Sequence, residues 1–267
     1  MAKKNKTSKL QYQLAFEYRS LKWLVLEIVL FSVFAELVYT YFKVKNITSN
    51  DDVAFAPIVS GSLWQVMFYA TMVVGFFGVA YVIFGDRIDF NSMYALRTLP
   101  IEMKHIVISK IGVSVIAMLG IYGSQLISFV FTWSLYTDNV PVAKRVSHAL
   151  NYALVKDPFI YATFPSGIVE LLLNVAVIIF LVIGFSYLLY SLRTRDFNKI
   201  LFCGIYFIVN LVVAIVLTFM GVRVPFIPVA AREVQGNMMV GIILTIVVYL
   251  GAVVFMVSKM YEEFMYD

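Results

Sequence analysis

Cysteine, histidine and charge are all scarce in this chain of 267 residues. Its one cysteine, Cys203, excludes an internal disulfide and any metal site built from several cysteines. The two histidines, His105 and His148, fall on opposite sides of the membrane in the predicted topology, so they cannot share a site. We therefore expect no metal site in this chain.

Sequence motifs for catalysis are missing as well. The chain contains no GxxxxGK[ST], no HExxH, no GxSxG and no GxGxxG that opens a helix after a strand. The absence of the first motif excludes an ATPase of the P-loop kind within this chain. We expect no catalytic residue here, and therefore a protein that is not itself an enzyme.

Apolar residues are what the chain has in excess. Hydrophobic residues make up 61% of it and charged residues only 14%, whereas an ordinary soluble domain is about half apolar and about a quarter charged. Mean hydropathy is +0.87, and one soluble core could not bury so much apolar surface. The net charge of +5 does not indicate nucleic-acid binding, because Lys and Arg lie between hydrophobic runs rather than on one solvated face.

Six hydrophobic runs are long enough to cross a bilayer as helices of about 20 residues. They predict an all-α fold, a polytopic membrane protein with a single transmembrane domain over residues 1–267. The predicted spans are residues 24–42, 63–84, 111–136, 168–192, 200–220 and 238–257. Before the first span, apolar residues recur at helical spacing over residues 8–22 and predict an interfacial elbow helix, with a disordered basic tail as the alternative.

Positive charge in the loops predicts the orientation. With the N-terminus inside the cell, Lys and Arg are about twice as frequent in cytoplasmic segments as in outer ones. We expect a multi-pass protein of the cell (plasma) membrane with both termini in the cytoplasm. The longest outer loop, residues 137–167, carries an apolar stripe and is expected on the outer leaflet. The last outer loop, residues 221–237, contains two prolines and is either a re-entrant turn or a surface loop.

The inner loop between the second and third spans reads GDRIDFNSMYALRTLPIEMKHIVISK. Ser92 can cap a short helix that Pro100 ends or kinks. Apolar and aromatic side chains beside cations are typical of an anchor that enters a pocket of a partner protein. The alternative is a helix that lies on the lipid headgroups. The predicted anchor residues are Tyr94, Leu96, Arg97, Leu99, Pro100, Ile101 and Lys104.

Part of this loop carries a family resemblance. The sequence Leu99-Pro100-Ile101, followed by His105-Ile106-Val107 and Ser109-Lys110, resembles a segment of ABC-2 type exporter permeases. The resemblance implies that residues 91–101 form a cytoplasmic coupling helix, which docks on a separate ATP-binding cassette subunit. It also implies two such subunits, which bind ATP and Mg²⁺, and a permease that pairs with itself or with a paralogue. The expected activity is export of amphipathic or hydrophobic cargo, with peptides such as toxins or antimicrobial peptides as the first choice.

Polar side chains within the spans are the candidates for a translocation pathway. A charge at the centre of a bilayer costs from about 2.5 kcal/mol upwards, so Glu36 is the most informative of them. Gln125, Asn174 and Asn210 are uncharged and could equally bond a neighbouring helix. Glu27 and Glu170 lie nearer the span ends, where each can reach the headgroups.

A second class of function is compatible with the same features. A membrane scaffold or sensor could recruit partners through the same inner loop, and a channel-like bundle would have similar spans. ATPase activity that rises when the permease and an ATP-binding subunit are reconstituted together would distinguish an exporter from these.

Overall fold

The computed structural model describes residues 2–46, 54–81, 103–142, 145, 149–194, 197–219, 225–226, 251 and 258. Within these ranges the fold is helical, as the sequence predicts, and contains no β-strand. The helices are α1 (Ala2–Lys45), α2 (Ala56–Val59), α3 (Leu63–Ala80), α4 (Met103–Asn139), α5 (Ala149–Lys156), α6 (Pro158–Thr163), α7 (Ile168–Thr194) and α8 (Phe197–Phe219).

Three of the described helical segments are both long enough and apolar enough to cross a membrane. They are Leu63–Ala80, Ile108–Asn139 and Ile168–Leu188, and they correspond to the second, third and fourth predicted spans. The first predicted span lies within α1, and the fifth lies within α8 as far as Phe219. The sixth, residues 238–257, falls outside the described ranges except for Gly251. The membrane-protein class is therefore supported, while a total of six spans stays a prediction.

The N-terminal helix differs from the expected arrangement. Helix α1 runs without a break from Ala2 to Lys45. A separate elbow helix ending near residue 22 is therefore not distinguished from the first predicted span. No proline or glycine occurs in this stretch of sequence to interrupt the helical backbone.

Helices α1 and α4 run in the same direction, with α3 antiparallel to α1. Ser32, Glu36 and Thr40 contact partners in α4 whose numbers increase in the same order. By contrast, Gly78 near the end of α3 lies against Leu24 of α1, and a Cβ at Gly78 would be 3.3 Å from the Leu24 side chain. Along the chain, α3 follows α1 in the opposite direction and α4 returns to the direction of α1. Three successive membrane crossings are expected to alternate in this way.

Helices α7 and α8 form a close antiparallel pair. The rings of Phe180 and Tyr206 stack with centroids 5.1 Å apart, and farther along α7 Tyr187 meets Phe202. A Cβ at Gly184 would lie 2.9 Å from the Phe207 ring, so any larger residue there would force the ring to move. The lone Cys203 is buried in the same contact, as expected for a small core residue.

The segment before α7 folds back onto the bundle instead of exposing its whole apolar stripe. Asp157 caps α6 by accepting a hydrogen bond from the Ile160 backbone N at 2.9 Å, and Pro158 occupies the first turn. Ala149 and Ala153 of the predicted stripe are buried, whereas Val142 is exposed. Part of the stripe therefore packs against protein, and the predicted contact with the outer leaflet stays untested.

Candidate functional site

A row of polar side chains lies between α1 and α4, and we call it the polar seam. Helix α1 contributes Ser32, Glu36 and Thr40 at intervals of four residues, which places them on one face. Helix α4 contributes Gln125, Ser128 and Thr132. All six side chains are at most 3% exposed.

Three contacts connect the two halves of the polar seam. Gln125 Nε2 donates to Ser32 Oγ at 3.1 Å, and Ser128 Oγ donates to Glu36 Oε2 at 2.5 Å. The hydroxyls of Thr40 and Thr132 lie 3.4 Å apart, and Thr40 Oγ1 also donates to the Glu36 backbone O at 2.8 Å. Each of these three α1 residues thus contacts a residue of α4, and each contact lies about one helical turn beyond the previous one on both helices.

Two acceptor oxygens in the polar seam have no hydrogen-bond partner among the described residues. They are Glu36 Oε1 and Gln125 Oε1, both buried. Buried polar atoms without partners are uncommon in proteins, because each carries a desolvation cost of about 1 to 3 kcal/mol. The centre of the seam therefore contains two buried acceptors that the described residues leave unsatisfied.

An ion pair holds the same two helices together nearer their N-terminal ends. Lys110 Nζ lies 3.7 Å from Glu17 Oε1, and the two side chains are 9% and 1% exposed. Lys110 is the last residue of the segment that resembles exporter permeases, and its neighbour Ser109 is also buried. Residues 103–110, predicted as the end of the inner loop, therefore belong to α4, and Lys110 fixes this part of α4 to α1.

Asn174 belongs to a different contact, between α7, α4 and the end of α6. Its Nδ2 donates to the Tyr122 hydroxyl at 2.5 Å and to the Thr163 backbone O at 3.0 Å. The Tyr122 hydroxyl donates to the same carbonyl at 2.8 Å. Asn174 thus donates to a carbonyl at the end of a short helix, while its own buried Oδ1 has no hydrogen-bond partner among the described residues.

The other predicted polar residues are placed apart from the seam. Asn210 Nδ2 donates to the Tyr206 backbone O of its own helix at 2.7 Å. Glu170 Oε2 accepts from the backbone N and the hydroxyl of Ser166, so it caps the start of α7. Glu27 is exposed on α1. Of the four pathway candidates, only Glu36 and Gln125 are brought together.

The predicted coupling residues lie almost entirely outside the described ranges. Tyr94, Leu96, Arg97, Leu99, Pro100 and Ile101 belong to residues 82–102, which the structure does not describe. Lys104 lies in the first turns of α4. The docking role of this loop stays a prediction.

Sequence reasoning missed an aromatic cluster on a neighbouring face of α4. Phe129 stacks on Phe164 with ring centroids 4.0 Å apart. The ring centroid of Trp64 lies within 6.5 Å of the ring centroids of Phe68, Phe129, Phe159 and Phe164. These residues come from α3, α4 and the α6 region, and Phe55 joins them through Phe129. We call Phe55, Trp64, Phe68, Phe129, Phe159 and Phe164 the aromatic cluster.

The last predicted outer loop also reaches this region. Phe226, at φ 66°, donates its backbone N–H to the Ala162 carbonyl at 3.0 Å, and its ring meets Tyr122 edge-on at 5.7 Å. Pro225 beside it is buried. Pro225 and Phe226 therefore pack against α6 and α4, and the rest of the loop of residues 221–237 lies outside the described ranges.

Comparisons with known proteins identify no relative. No protein-family model matches the chain, and neither the curated proteins nor the solved structures give a significant match.

Proposed function

We propose that the chain is the membrane-spanning permease subunit of an ATP-driven exporter of the ABC-2 type. The observation that carries this proposal is the inner-loop sequence from Leu99 to Lys110, in which a Leu-Pro-Ile step precedes His-Ile-Val and a closing Ser-Lys. The missing P-loop fits a permease that relies on ATP-binding subunits. Two such subunits, carrying ATP and Mg²⁺, would bind a pair of permeases on the cytoplasmic side of the cell membrane.

The arrangement of the first three long helices supports the proposed topology. Helices α1 and α4 point the same way, and α3 between them points back, as six spans with cytoplasmic termini require. In this topology the loop of residues 85–102 faces the cytoplasm, where an ATP-binding subunit can reach it. Apolar side chains such as Leu99 would enter a groove of that subunit.

The Glu17–Lys110 ion pair supports a route for the mechanical coupling. ATP binding changes a permease only if the bound subunits favour one arrangement of the helices over the other. Lys110 lies nine residues beyond the proposed coupling helix of residues 91–101, in the N-terminal part of α4, and is buried against α1. A displacement of the docked loop would therefore act on α1 and α4 together, about 22 Å along the helices from the polar seam.

The cargo in this proposal is amphipathic or hydrophobic, with peptides as the first choice. In support, the described helical surfaces are largely aliphatic and aromatic, and Glu36 is the one ionisable side chain of the polar seam. Glu36 and Gln125 would reach the pathway when α1 and α4 separate. Asn174 and Asn210 remain candidates for lining the translocation pathway once two permeases pair.

The test replaces one apolar anchor by a charge. Leu99→Asp should abolish co-purification of the ATP-binding subunit from native membranes while the permease stays inserted, because a carboxylate cannot enter an apolar groove without a large desolvation cost. The co-purified chain is identified by mass spectrometry through its GxxxxGK[ST] motif. ATPase activity of the two reconstituted proteins should fall in parallel.

Asn91→Asp is the matched control. It adds the same charge to the same loop and removes no apolar side chain, so binding should persist. Unchanged recovery of the ATP-binding subunit with Leu99→Asp would refute the docking assignment. Absence of any ATP-binding chain with the wild-type protein would favour the scaffold, sensor or channel alternative.

A further inference from the structure

The polar seam lacks a positive partner for its carboxyl group. Glu36 is 0% exposed, and the side chains that touch it in the seam are uncharged. An ionised carboxylate in such a place is unfavourable by several kcal/mol unless a cation neutralises it. The structure must therefore supply either a cation or a proton.

The described charged groups near Glu36 are engaged elsewhere. Helices α2 and α3, which pack against α1, contain no charged residue. Lys43 lies seven residues farther along α1, about 10 Å by the helical rise, and its Nζ donates to the Pro57 carbonyl at 2.7 Å. Lys110 is paired with Glu17.

The other ionisable groups described on these helices do not neutralise the carboxylate either. Tyrosines supply no positive charge in either protonation state. Those that are at least partly buried here are Tyr39 on α1, Tyr69 on α3, and Tyr122 and Tyr136 on α4. The remaining charged side chains described on α1 and α4 are Arg19, Lys22, Glu27, Lys45 and Asp138, all exposed.

The hydrogen-bond pattern around Glu36 favours a proton over a cation. Glu36 Oε1 and Gln125 Oε1 are both acceptors, and both lack a donor among the described residues. Ser128 already donates its hydroxyl proton to Glu36 Oε2, and the Ser32 hydroxyl donates to the Val29 carbonyl at 3.2 Å. One added hydrogen on Glu36 would remove the charge and turn an unpartnered acceptor into a donor.

We propose that the polar seam is a proton-binding site, in which Glu36 holds a proton while α1 and α4 are packed together. The proton comes from a hydronium ion of the surrounding water: one of its O–H bonds breaks as the new O–H bond forms on Glu36 Oε1, and a neutral water molecule is left. Separation of the two helices would hydrate the carboxyl group and release the proton to water. Closing the seam therefore takes up one proton per chain.

This proposal is independent of the exporter assignment. It concerns the α1–α4 contact of the isolated chain and requires no ATP-binding subunit. A scaffold or channel with the same contact would bind the proton equally. Failure of the docking experiment would leave it intact, and failure of the experiment below would leave the docking assignment intact.

Infrared spectroscopy of the full chain in lipid nanodiscs tests the proposal directly, because a protonated carboxyl group has a carbonyl band that a carboxylate lacks. At neutral pH the wild-type spectrum should contain such a band, shifted by exchange into D₂O. Glu36→Gln should lose the absorbance of one carboxylic acid. Glu27→Gln, on the exposed face of the same helix, is the matched control and should lose none.

A second variant keeps the test decisive if Glu36→Gln does not fold. Ser128→Ala removes the donor to Glu36 Oε2, so the carbonyl band should move to higher frequency. A wild-type spectrum without an acid band at neutral pH would overturn the proposal, as would a band unaffected by both variants. A carboxylate band at Glu36 that responds to Na⁺ would assign the site to a metal cation and equally overturn it.

Discussion

Two adjoining faces of α4 make contacts of opposite character. One face carries Gln125, Ser128 and Thr132 into the polar seam, where single hydrogen bonds meet α1. The other carries Phe129 into the aromatic cluster, where rings from α3 and the α6 region stack and cross at 4.0 to 6.5 Å. The same helix therefore has one face that adds directional hydrogen bonds to its packing against α1 and one face that packs through aromatic rings.

The physical difference predicts which contact can open. A hydrogen bond within a membrane protein contributes about 0.6 kcal/mol on average, and water can replace it. A buried aromatic ring has no such replacement, because its contacts are lost when the neighbouring side chains separate. We expect the hydrogen bonds of the polar seam to exchange with water while the rings of the aromatic cluster stay packed together.

Trp64→Ala should have the largest effect on stability. Trp64 is fully buried among four rings of the aromatic cluster, and its truncation leaves a cavity that those rings cannot fill. The free energy of unfolding should fall by about 3 to 5 kcal/mol. Denaturant titration in mixed micelles measures it.

Phe34→Ala is the control for this prediction. Phe34 is an aromatic residue of α1 that is 71% exposed, so its removal should change stability by less than about 0.5 kcal/mol. Equal losses for the two variants would contradict the view that the aromatic cluster is the fixed part of the bundle.

Asn174→Leu should have an intermediate effect. It removes the two bonds from Asn174 Nδ2 to Tyr122 and to the Thr163 carbonyl, but Tyr122 still donates to that carbonyl. We expect a loss of about 1 to 2 kcal/mol in the same titration.

Asn210→Leu tests whether the stability loss of Asn174→Leu comes from its contacts with other helices or from replacing any asparagine within a helix. Asn210 donates only within its own helix among the described partners, so its replacement should be close to neutral. A larger loss for Asn210 than for Asn174 would show that Asn174 is not the structural link between α7, α6 and α4.

The helical class is predictable from the sequence because long apolar runs have few alternatives. The predicted second, third and fourth spans each lie within a few residues of a described apolar helix. Glu36 and Gln125 stand out as polar residues within spans, but the residues they contact on the facing helix are not predictable, since contacts between residues about 90 positions apart depend on how helices pack. The spacing of four between Ser32, Glu36 and Thr40 is a usable signal.

No spacing pattern in the sequence indicates the aromatic cluster. Phe and Trp occur throughout the chain, on exposed positions such as Trp23 and Phe31 as well as on buried ones. Hydropathy does not separate a ring that faces lipid from one that faces another helix, because both surroundings are apolar. The inward turn at Phe226 is likewise only one of two alternatives at the level of sequence, since prolines end a helix without specifying where the chain goes next.

Ser128→Ala should have the smallest measurable effect. It removes the hydroxyl that donates to Glu36 Oε2 and changes little else in the polar seam. For a carboxyl group that carries a proton, the lost bond is between neutral groups, and the expected decrease in stability is about 0.6 kcal/mol. Ser134→Ala, at an exposed position of the same helix, should leave stability unchanged.

The size of the Ser128→Ala effect also distinguishes the two charge states of Glu36. A bond donated to a carboxylate is charge-assisted, and in a buried site its loss costs about 1.5 to 3 kcal/mol. A decrease in that range would indicate an ionised Glu36 and would contradict the proton site. A decrease below about 1 kcal/mol, combined with a large loss for Trp64→Ala, would mean that the hydrogen bonds of the polar seam contribute less to stability than the packing of the aromatic cluster.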